Sequence, residues 1–388
     1  MTVLALVCSG LASAQNWTSP TVVANGNGIA VSTNGTGTAA VMFGALSAVV
    51  ETGGTWGAPV VLSTLGPYGS GSGNLAVAPN GDVLAVWAYR TSNTYPPDAA
   101  QAAFFTGGHW GNPITISNNV YANVYSFGVP SIGFDGASRA TLVWEEITNP
   151  SPMTCALKAI TGTAASGFGP AQTISNSGAC FGWSRIAVNQ FGRAEVMEGA
   201  AGILSAAVVA IGRETSGIWD APVTVGASGV YRQRQPQVGL GNDGTAVAVW
   251  LVNGNVRYAV KSNGVWSAAA ALPGVAGTAG GAAGVAVDGN GNAVAMFEQV
   301  AIAPGNYATY RPAGGSWQTK VPLSSDVQIV ATPAGTFVAG GTTVSTRPAG
   351  SSRWSTTTFA NPAIVNAAPG QAIAVLGPQV SVSTEAIQ

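Results

Sequence analysis

Two stretches of this chain nearly repeat each other: "TGGTWGAPVVLS" at Thr52–Ser63 and "TGGHWGNPITIS" at Thr106–Ser117. In each, a glycine pair makes a tight turn before a Trp, and a Pro follows that Trp three residues later. Proline cannot donate a hydrogen bond to a central sheet ladder, so the strand that contains it lies at a sheet edge. The turn and its aromatic residue recur along the chain, at Trp17, Trp56, Trp110, Phe168, Trp219, Trp266, Trp317 and Trp354. This repetition predicts a series of similar antiparallel units, each ending in an outer edge strand.

A second pattern precedes these aromatic turns. Two apolar segments rich in Val and Ala flank an Asn-Gly or Asp-Gly turn, as in "QVGLGNDGTAVAVW" (Gln237–Trp250) and "AGVAVDGNGNAVAMF" (Ala283–Phe297). These dipeptides supply the positive φ angles that a tight hairpin requires. The pattern predicts two inner strands that are buried on both faces. With the third strand and the edge strand, each unit becomes a four-stranded meander.

The innermost strands are predicted to begin at spacings of roughly 35–55 residues, the range of propeller blades. Eight starts are found, near Gly28, Asn74, Pro130, Arg185, Pro236, Ala283, Val327 and Ala363. We therefore predict an all-β fold, a single eight-bladed β-propeller of four-stranded antiparallel blades over residues 15–388. Seven blades are the alternative, because the unit at Val327–Asn361 is short.

The two chain ends are predicted to share the last blade. The final segment, Ala363–Ala386, has the pattern of three strands but lacks a Trp-bearing fourth strand. The segment "NWTSPTVVA" at Asn16–Ala24 has the pattern of a fourth strand without its blade. Pairing the two segments removes the open edges that a linear array of sheets would expose.

The aromatic turns resemble the Asp-box repeats of sialidase-like propellers, which carry Ser-x-Asp-x-Gly-x-x-Trp between the third and fourth strands. The matching stretches here are "TGGTW", "TGGHW", "TSGIW", "KSNGVW" and "PAGGSW", and all of them lack the Asp. The resemblance implies a propeller rather than sialidase activity. A sialidase-like site needs an Arg cluster, a Tyr with a partnering Glu, and an Asp acid. Arg185 in "SRIAV" resembles the Arg-Ile-Pro motif of that family, but Ala187 replaces the Pro.

The composition argues against several functions. Only 7% of residues are charged and the formal net charge is -1, so no basic surface is available for nucleic acid or for an anionic membrane. The single histidine, His109, lies in a tight turn, which argues against His-based catalysis and His-rich metal sites. We predict no metal, no cofactor, no nucleic-acid partner and no membrane insertion.

The N-terminus has the pattern of an export signal. Residues 1–11 are apolar but too few to span a bilayer, and Ala12-Ser13-Ala14 is a small-x-small cleavage site. We predict a signal peptide at residues 1–14 and a secreted or periplasmic protein. Cys8 would leave with the signal, and the remaining pair, Cys155 and Cys180, is predicted to form a disulfide.

Connections between antiparallel strands alternate between the two ends of a blade. One end receives the short Gly-rich turns, and the other receives long irregular loops, where function is usually found. Aromatic and Arg side chains at the irregular end are suited to stacking on sugar rings and to hydrogen bonding with hydroxyl or carboxylate groups. The predicted ligand-binding residues are Trp183, Tyr89, Arg90, Tyr125, Tyr231 and Arg232.

The predicted function is a binding module, with carbohydrate as the favoured ligand, either a glycan or a cell-surface polysaccharide, bound at the irregular end or in the central channel. One alternative is a sialidase-like glycoside hydrolase or a polysaccharide lyase, since paired carboxylates perform acid and base steps. Its candidate catalytic residues are Glu145, Glu198, Glu298 and Arg185. The other alternative is a protein-binding cell-surface scaffold without a small ligand.

Overall fold

The computed structural model describes residues 17–44, 46–63, 72–90, 98–121, 129–176, 178, 180, 184–201, 206–228, 236–275, 283–300, 302–323, 328–341, 343–359, 363–376 and 379–387. The regular elements in these residues are β-strands, and neighbouring strands run antiparallel. Within the same residues, no helix is long and apolar enough to cross a membrane.

The strands fall into units that repeat one order from inside to outside, and we call these units blades 1 to 8. Blade 1 contains β2 (Gly28–Thr33), β3 (Thr38–Phe43), β4 (Ser47–Thr52), β5 (Thr55–Trp56) and β6 (Val60–Val61). Blade 2 contains β7 (Ser72–Val77), β8 (Val83–Arg90), β9 (Asp98–Thr106), β10 (His109–Trp110) and β11 (Ile114–Val120). Blade 3 contains β12 (Ser131–Phe134), β13 (Ala140–Pro150), β14 (Met153–Thr163), β15 (Gly167–Phe168) and β16 (Gln172–Ser175). Blade 4 contains β17 (Ser184–Val188), β18 (Ala194–Ala201), β19 (Ala206–Arg213) and β20 (Val223–Ser228).

The second half of the chain continues the same order. Blade 5 contains β21 (Gln237–Leu240), β22 (Ala246–Val252), β23 (Asn255–Ser262), β24 (Val265–Trp266) and β25 (Ala270–Ala271). Blade 6 contains β26 (Ala283–Val287), β27 (Ala293–Gln299), β28 (Gly305–Arg311) and β29 (Val321–Leu323). Blade 7 contains β30 (Gln328–Ala331), β31 (Phe337–Gly340), β32 (Thr343–Arg347) and β33 (Ser355–Thr358). Blade 8 contains β34 (Ala363–Ala368), β35 (Gly370–Leu376), β36 (Gln379–Ile387) and β1 (Thr21–Asn25).

Hydrogen-bonded pairing alone gives seven sheets, because blades 2 and 3 are joined into one sheet of ten strands. The junction is a single residue pair, Val120 of β11 with Glu146 of β13. Each half of this sheet repeats the strand order of the other blades, so we treat the halves as two blades. The prediction of an all-β propeller of antiparallel blades is confirmed by this architecture, and the choice between eight and seven blades stays a prediction.

The two chain ends lie in one sheet. β1 pairs antiparallel with β36, with Thr21 opposite Val382 and Asn25 opposite Gln379. The Thr18 amide, next to Trp17, donates to the Thr384 carbonyl oxygen at 2.9 Å. The innermost strand of blade 8 also contacts the innermost strand of blade 1. The predicted sharing of the last blade is therefore present, and it joins the last blade to the first.

Apolar clusters fill the junctions between neighbouring blades. The repeated aromatic residue of a blade lies in the cluster shared with the preceding blade, as Trp110 does against blade 1 and Trp219 against blade 3. The ring of Trp110 meets Phe105 in an edge contact with the centroids 5.5 Å apart. Burying most of such a ring stabilises the fold by about 2 kcal/mol. The aromatic repeat therefore builds the contacts between blades.

The innermost strands approach so closely that glycine is required at some contacts. A Cβ atom on Gly239 of β21 would lie 2.7 Å from Val287 Cγ2 of the next blade and 2.9 Å from its backbone nitrogen. The backbone atom cannot move aside as a side chain can, so a larger residue would separate these two blades.

The turns between first and second strands and between third and fourth strands lie at one end of the blades, which we call the tight-turn end; the other connections lie at the opposite end, which we call the irregular end. The prediction of long loops at the irregular end is wrong for several second-to-third connections, which are tight turns, as between Pro150 and Met153 and between Val252 and Asn255.

In blade 4 the Asn189 Oδ1 atom accepts hydrogen bonds from the Phe191 and Arg193 amides, both at 3.1 Å. Its Nδ2 atom donates to the Gly241 carbonyl oxygen of blade 5 at 3.0 Å. The side chain thus fixes its own turn and links it to the next blade.

At the irregular end, Cys155 of β14 and Cys180 form a disulfide, as predicted, with an S–S distance of 2.02 Å. The bond links blade 3 to the connection that leads into blade 4. A disulfide that closes a loop of 25 residues contributes about 3 kcal/mol, chiefly by restricting the unfolded chain.

Candidate ligand-binding site

Six residues are predicted to bind ligand at the irregular end, and the structure describes two of them. Tyr89 is half-buried near the end of β8 and packs against the apolar cluster between blades 1 and 2. Arg90 ends β8, where its backbone pairs with that of Asp98. The other four lie outside the described residues: Tyr125, Trp183, Tyr231 and Arg232. Their role in ligand binding stays a prediction.

The candidate catalytic residues lie on three blades. Glu145 is buried in β13 and Glu198 is fully buried in β18, where the Ser175 hydroxyl donates to Glu198 Oε2 at 2.9 Å. Glu298 is half-buried in β27. Arg185 lies in β17, and its guanidinium donates to the carbonyl oxygen of the preceding residue at 3.2 Å. Burial lowers the pKa of Arg185 from its ordinary value. Their catalytic role also stays a prediction.

A cavity of about 370 Å³ lies between blades 4 and 5 at the tight-turn end, and we call it the 4/5 cleft. Its lining includes the turn between the first two strands of blade 5 and the ends of the third strands of both blades. The chain has few charged residues, yet six line this cleft: Arg193, Glu195, Arg213, Glu214, Asp243 and Lys261.

Ion pairs connect most of these charges. Lys261 Nζ forms a buried ion pair with Glu195 Oε1, which joins blade 5 to blade 4. Asp220 Oδ2 lies 3.9 Å from the same ammonium group. Closer to solvent, Arg193 Nε lies 3.2 Å from Glu214 Oε2, and both side chains are about half exposed. The cleft therefore has a buried pair at its base and an exposed pair at its mouth.

The buried pair fits because one residue beneath it has no side chain. A Cβ atom on Gly212 of β19 would lie 2.4 Å from Asp220 Oδ2, 2.8 Å from Lys261 Nζ and 3.2 Å from Glu195 Oε1. Any larger residue at this position would push the three charged groups apart. Gly212 is thus part of the construction of the cleft.

Burial sets the electrostatics of the cleft. Desolvation raises the pKa of the Glu195 carboxyl, while the hydrogen bond and the positive charge of Lys261 oppose that rise. Desolvation also lowers the pKa of Arg213. The Arg213 guanidinium donates from Nη1 to Thr141 Oγ1 at 2.8 Å and from Nη2 to the Gly192 carbonyl oxygen at 3.0 Å. Arg213 therefore crosses from blade 4 to blade 3.

Two smaller cavities lie in equivalent positions. One, of about 70 Å³, lies between blades 3 and 4, and we call it the 3/4 cleft. The other, of about 30 Å³, lies between blades 6 and 7. In the latter, the Arg347 guanidinium carbon lies 3.8 Å from the centroid of the Tyr310 ring of the preceding blade. The tight-turn end thus carries cavities at several blade junctions.

The strand register explains why charged residues face these junctions. The last part of the third strand pairs with the repeated aromatic residue, as Arg213 does with Trp219 and Lys261 with Trp266. Because the aromatic ring packs toward the preceding blade, the paired residue lies at the same junction. In blades 4 and 5 that residue carries a positive charge.

The residues of the 4/5 cleft were not among the predicted binding residues. The sequence predicts a structural role for the aromatic turns, so the binding residues were predicted at the irregular end. One signal was available, because Arg213 stands six residues before Trp219 and Lys261 five residues before Trp266. In a chain with 7% charged residues, charge at a repeated position indicates a shared structural environment.

No protein-family model and no curated protein matches this sequence. Solved structures with similar folds include the polysaccharide lyase Uly1, with 11% identity, 84% of this chain and 90% of that chain covered, and a TM-score of 0.49. A structure of YCF48 bound to D1 peptide has 13% identity, 96% coverage of both chains and a TM-score of 0.46. The six-bladed fucose-binding lectin of Aleuria aurantia has 11% identity, covers 74% of this chain and 94% of its own, and has a TM-score of 0.44.

Proposed function

We propose that this chain is a secreted or periplasmic propeller that binds carbohydrate in the 4/5 cleft. The observation that carries the proposal is the mixed lining of that cleft, in which Arg193 and Lys261 supply donors while Glu214 and Asp243 supply acceptors. A sugar hydroxyl both donates and accepts hydrogen bonds, so a polyhydroxylated ligand matches such a lining. The cavity volume is in the range of small-molecule sites. The disulfide supports an oxidising compartment, and export by residues 1–14 belongs to the same proposal.

The irregular end is the second proposed location for the ligand. Tyr89 and Arg90 stand there at the end of β8, and Trp183, Tyr125, Tyr231 and Arg232 are the aromatic and cationic residues predicted beside them. Aromatic rings that stack on sugars and Arg side chains that bind hydroxyl groups support this location. Each location predicts loss of ligand binding in a different variant.

A glycan array with three variants tests both locations. If the 4/5 cleft binds the ligand, Arg193→Gln weakens binding about tenfold or more, because a charged hydrogen bond is lost. Trp183→Ala has that effect if the ligand binds at the irregular end. Arg353→Gln, which changes an exposed Arg of blade 7, is the matched control and leaves binding unchanged. If the wild-type protein binds no glycan, the carbohydrate proposal is wrong.

The alternative functions stay predictions with tests of their own. A sialidase-like hydrolase or a polysaccharide lyase using Glu145, Glu198, Glu298 and Arg185 would turn over an aryl-glycoside or polysaccharide library, and Glu198→Gln would abolish the turnover. A protein-binding scaffold would give neither glycan binding nor turnover but would retain a protein partner.

A further inference from the structure

The 3/4 cleft differs from the 4/5 cleft in the sign of its charges. It lies between the third strand of blade 3 and the turns of blade 4. Its lining includes two guanidinium groups and no carboxylate: Arg139, Arg213, Gln172, Thr161 and Trp219 supply its polar and aromatic side chains. At about 70 Å³, the space suits a group the size of one oxyanion rather than a whole sugar.

The two guanidinium groups are neutralised unequally. Arg139 Nε pairs with Asp135 Oδ2 at 2.8 Å, and the backbone amides of Ala137 and Arg139 donate to the other oxygen of Asp135. Arg213 is 6% exposed, and its guanidinium donates hydrogen bonds to two uncharged acceptors, Thr141 Oγ1 and the Gly192 carbonyl oxygen. Within the described residues, Arg213 forms no ion pair, and its Nε–H has no hydrogen-bond acceptor.

A buried cation without a paired anion is costly. Here desolvation and the positive charge of Arg139 lower the pKa of Arg213, and the Asp135 carboxylate offsets only part of that effect. An oxyanion between the two guanidinium groups would offset both effects. Trp219 also lines the cleft, and the Arg213 guanidinium carbon lies 5.2 Å from the centroid of its ring.

We infer that the 3/4 cleft binds the oxyanion of an acidic saccharide, either a carboxylate or a sulfate ester, between Arg139 and Arg213. The guanidinium groups hold the anion by charged hydrogen bonds, and Gln172 and Thr161 offer bonds to neighbouring hydroxyl groups. This inference rests on the proposed function for the ligand class, but it uses a different cleft.

Titration calorimetry at low ionic strength tests the inference with three probes: glucuronate, glucose 6-sulfate and methyl glucoside. The acidic probes are expected to bind at least about tenfold more tightly than the neutral one, and added salt weakens their binding. The acidic probe with the higher affinity shows whether the cleft prefers a carboxylate or a sulfate ester. Equal affinity for methyl glucoside, or no binding of either acid, overturns the inference.

Two variants locate the site. Arg213→Lys keeps the charge but loses the planar fork, and it weakens binding of the acidic probes about tenfold. Because Arg213 is buried, Arg139→Gln, which changes a half-exposed side chain, provides a second variant with the same expected loss. Arg353→Gln is the control. If Arg139→Gln binds the acids as wild type does, the inference is wrong, and neutral-glycan binding that is sensitive to Arg193→Gln would leave the proposed function standing.

Discussion

At two blade junctions a charged residue occupies the same position of the repeat, but its partner in the preceding blade differs. At the junction of blades 4 and 5, Lys261 reaches back to the Glu195 carboxylate. At the junction of blades 7 and 8, Glu385 of β36 reaches back to blade 7, where Thr346 Oγ1 donates to its Oε2 atom at 3.2 Å. The Glu385 Oε1 atom has no hydrogen-bond partner within the described residues. One junction buries a pair of opposite charges, and the other buries a lone carboxyl.

The difference lies in the partner rather than in the backbone. Desolvation raises the pKa of Glu385 to about 7, and only the Thr346 hydroxyl opposes that rise. The carboxyl therefore titrates near neutral pH, and it does so on the strand that pairs with β1 and joins the chain ends. The same backbone position thus carries either a buried ion pair or a pH-sensitive carboxyl, depending on which charged residue occupies it and on the partner that the preceding blade supplies.

The largest expected effect is the loss of the ion pair between blades 4 and 5. Lys261→Met leaves Glu195 buried without its cation, which destabilises the protein by about 3 kcal/mol in chemical denaturation. The double variant Lys261→Met with Glu195→Leu regains most of that loss. Arg193→Met, which removes the exposed pair at the mouth of the same cleft, costs less than about 1 kcal/mol. Equal losses for the two single variants would contradict the distinction between base and mouth.

A smaller effect is expected at Glu385, and it depends on pH. Below about pH 4.5 the carboxyl is protonated in both the folded and the unfolded chain, so it contributes no pH dependence there. Between about pH 4.5 and 7 the unfolded chain releases the proton first, so folding stability falls as pH rises, and it stays low above that range.

Glu385→Gln removes this fall. The variant is expected to exceed the wild type by about 2 kcal/mol near pH 8.5 and to differ little near pH 4. Denaturation curves across this pH range check the expectation. If wild type and variant lose stability in parallel as pH rises, Glu385 is not the titrating group.

The smallest effect is expected from the one hydrogen bond that Glu385 receives. Thr346→Val keeps the shape of a buried side chain but removes the donor to the ionised carboxyl. The expected loss is about 1 kcal/mol near pH 8.5 and less near pH 4, where the carboxyl is protonated. A loss that is the same at both pH values would indicate a packing defect instead.

Much of the fold was predictable because its signals are local. The glycine turn, the Trp and the Pro that follows it define an edge strand within a dozen residues, and the alternation of turn types defines the remaining strands. The closing pair, β1 with β36, was predictable because one end lacks a strand that the other supplies. The Cys155–Cys180 disulfide followed from the count of cysteines and their location at one end of the blades.

The candidate site was less predictable because its residues are far apart in the chain. Glu195 and Lys261 are 66 residues apart in the chain. The sequence around each of them predicts only a charged side chain on the surface of a strand. Their pairing depends on two blades standing side by side in a particular register. Gly212 leaves space for them, but nothing in the sequence distinguishes it from the other glycines of this glycine-rich chain.

The sequence by itself determined that the chain is a ring of antiparallel blades with aromatic residues between them, because repetition and turn chemistry act within each unit. Only the tertiary structure decided which charges are paired, which are buried alone, and where space remains between blades. The physical reason is that desolvation and ion pairing depend on neighbours across a junction, and those neighbours are set by the packing of one blade on the next.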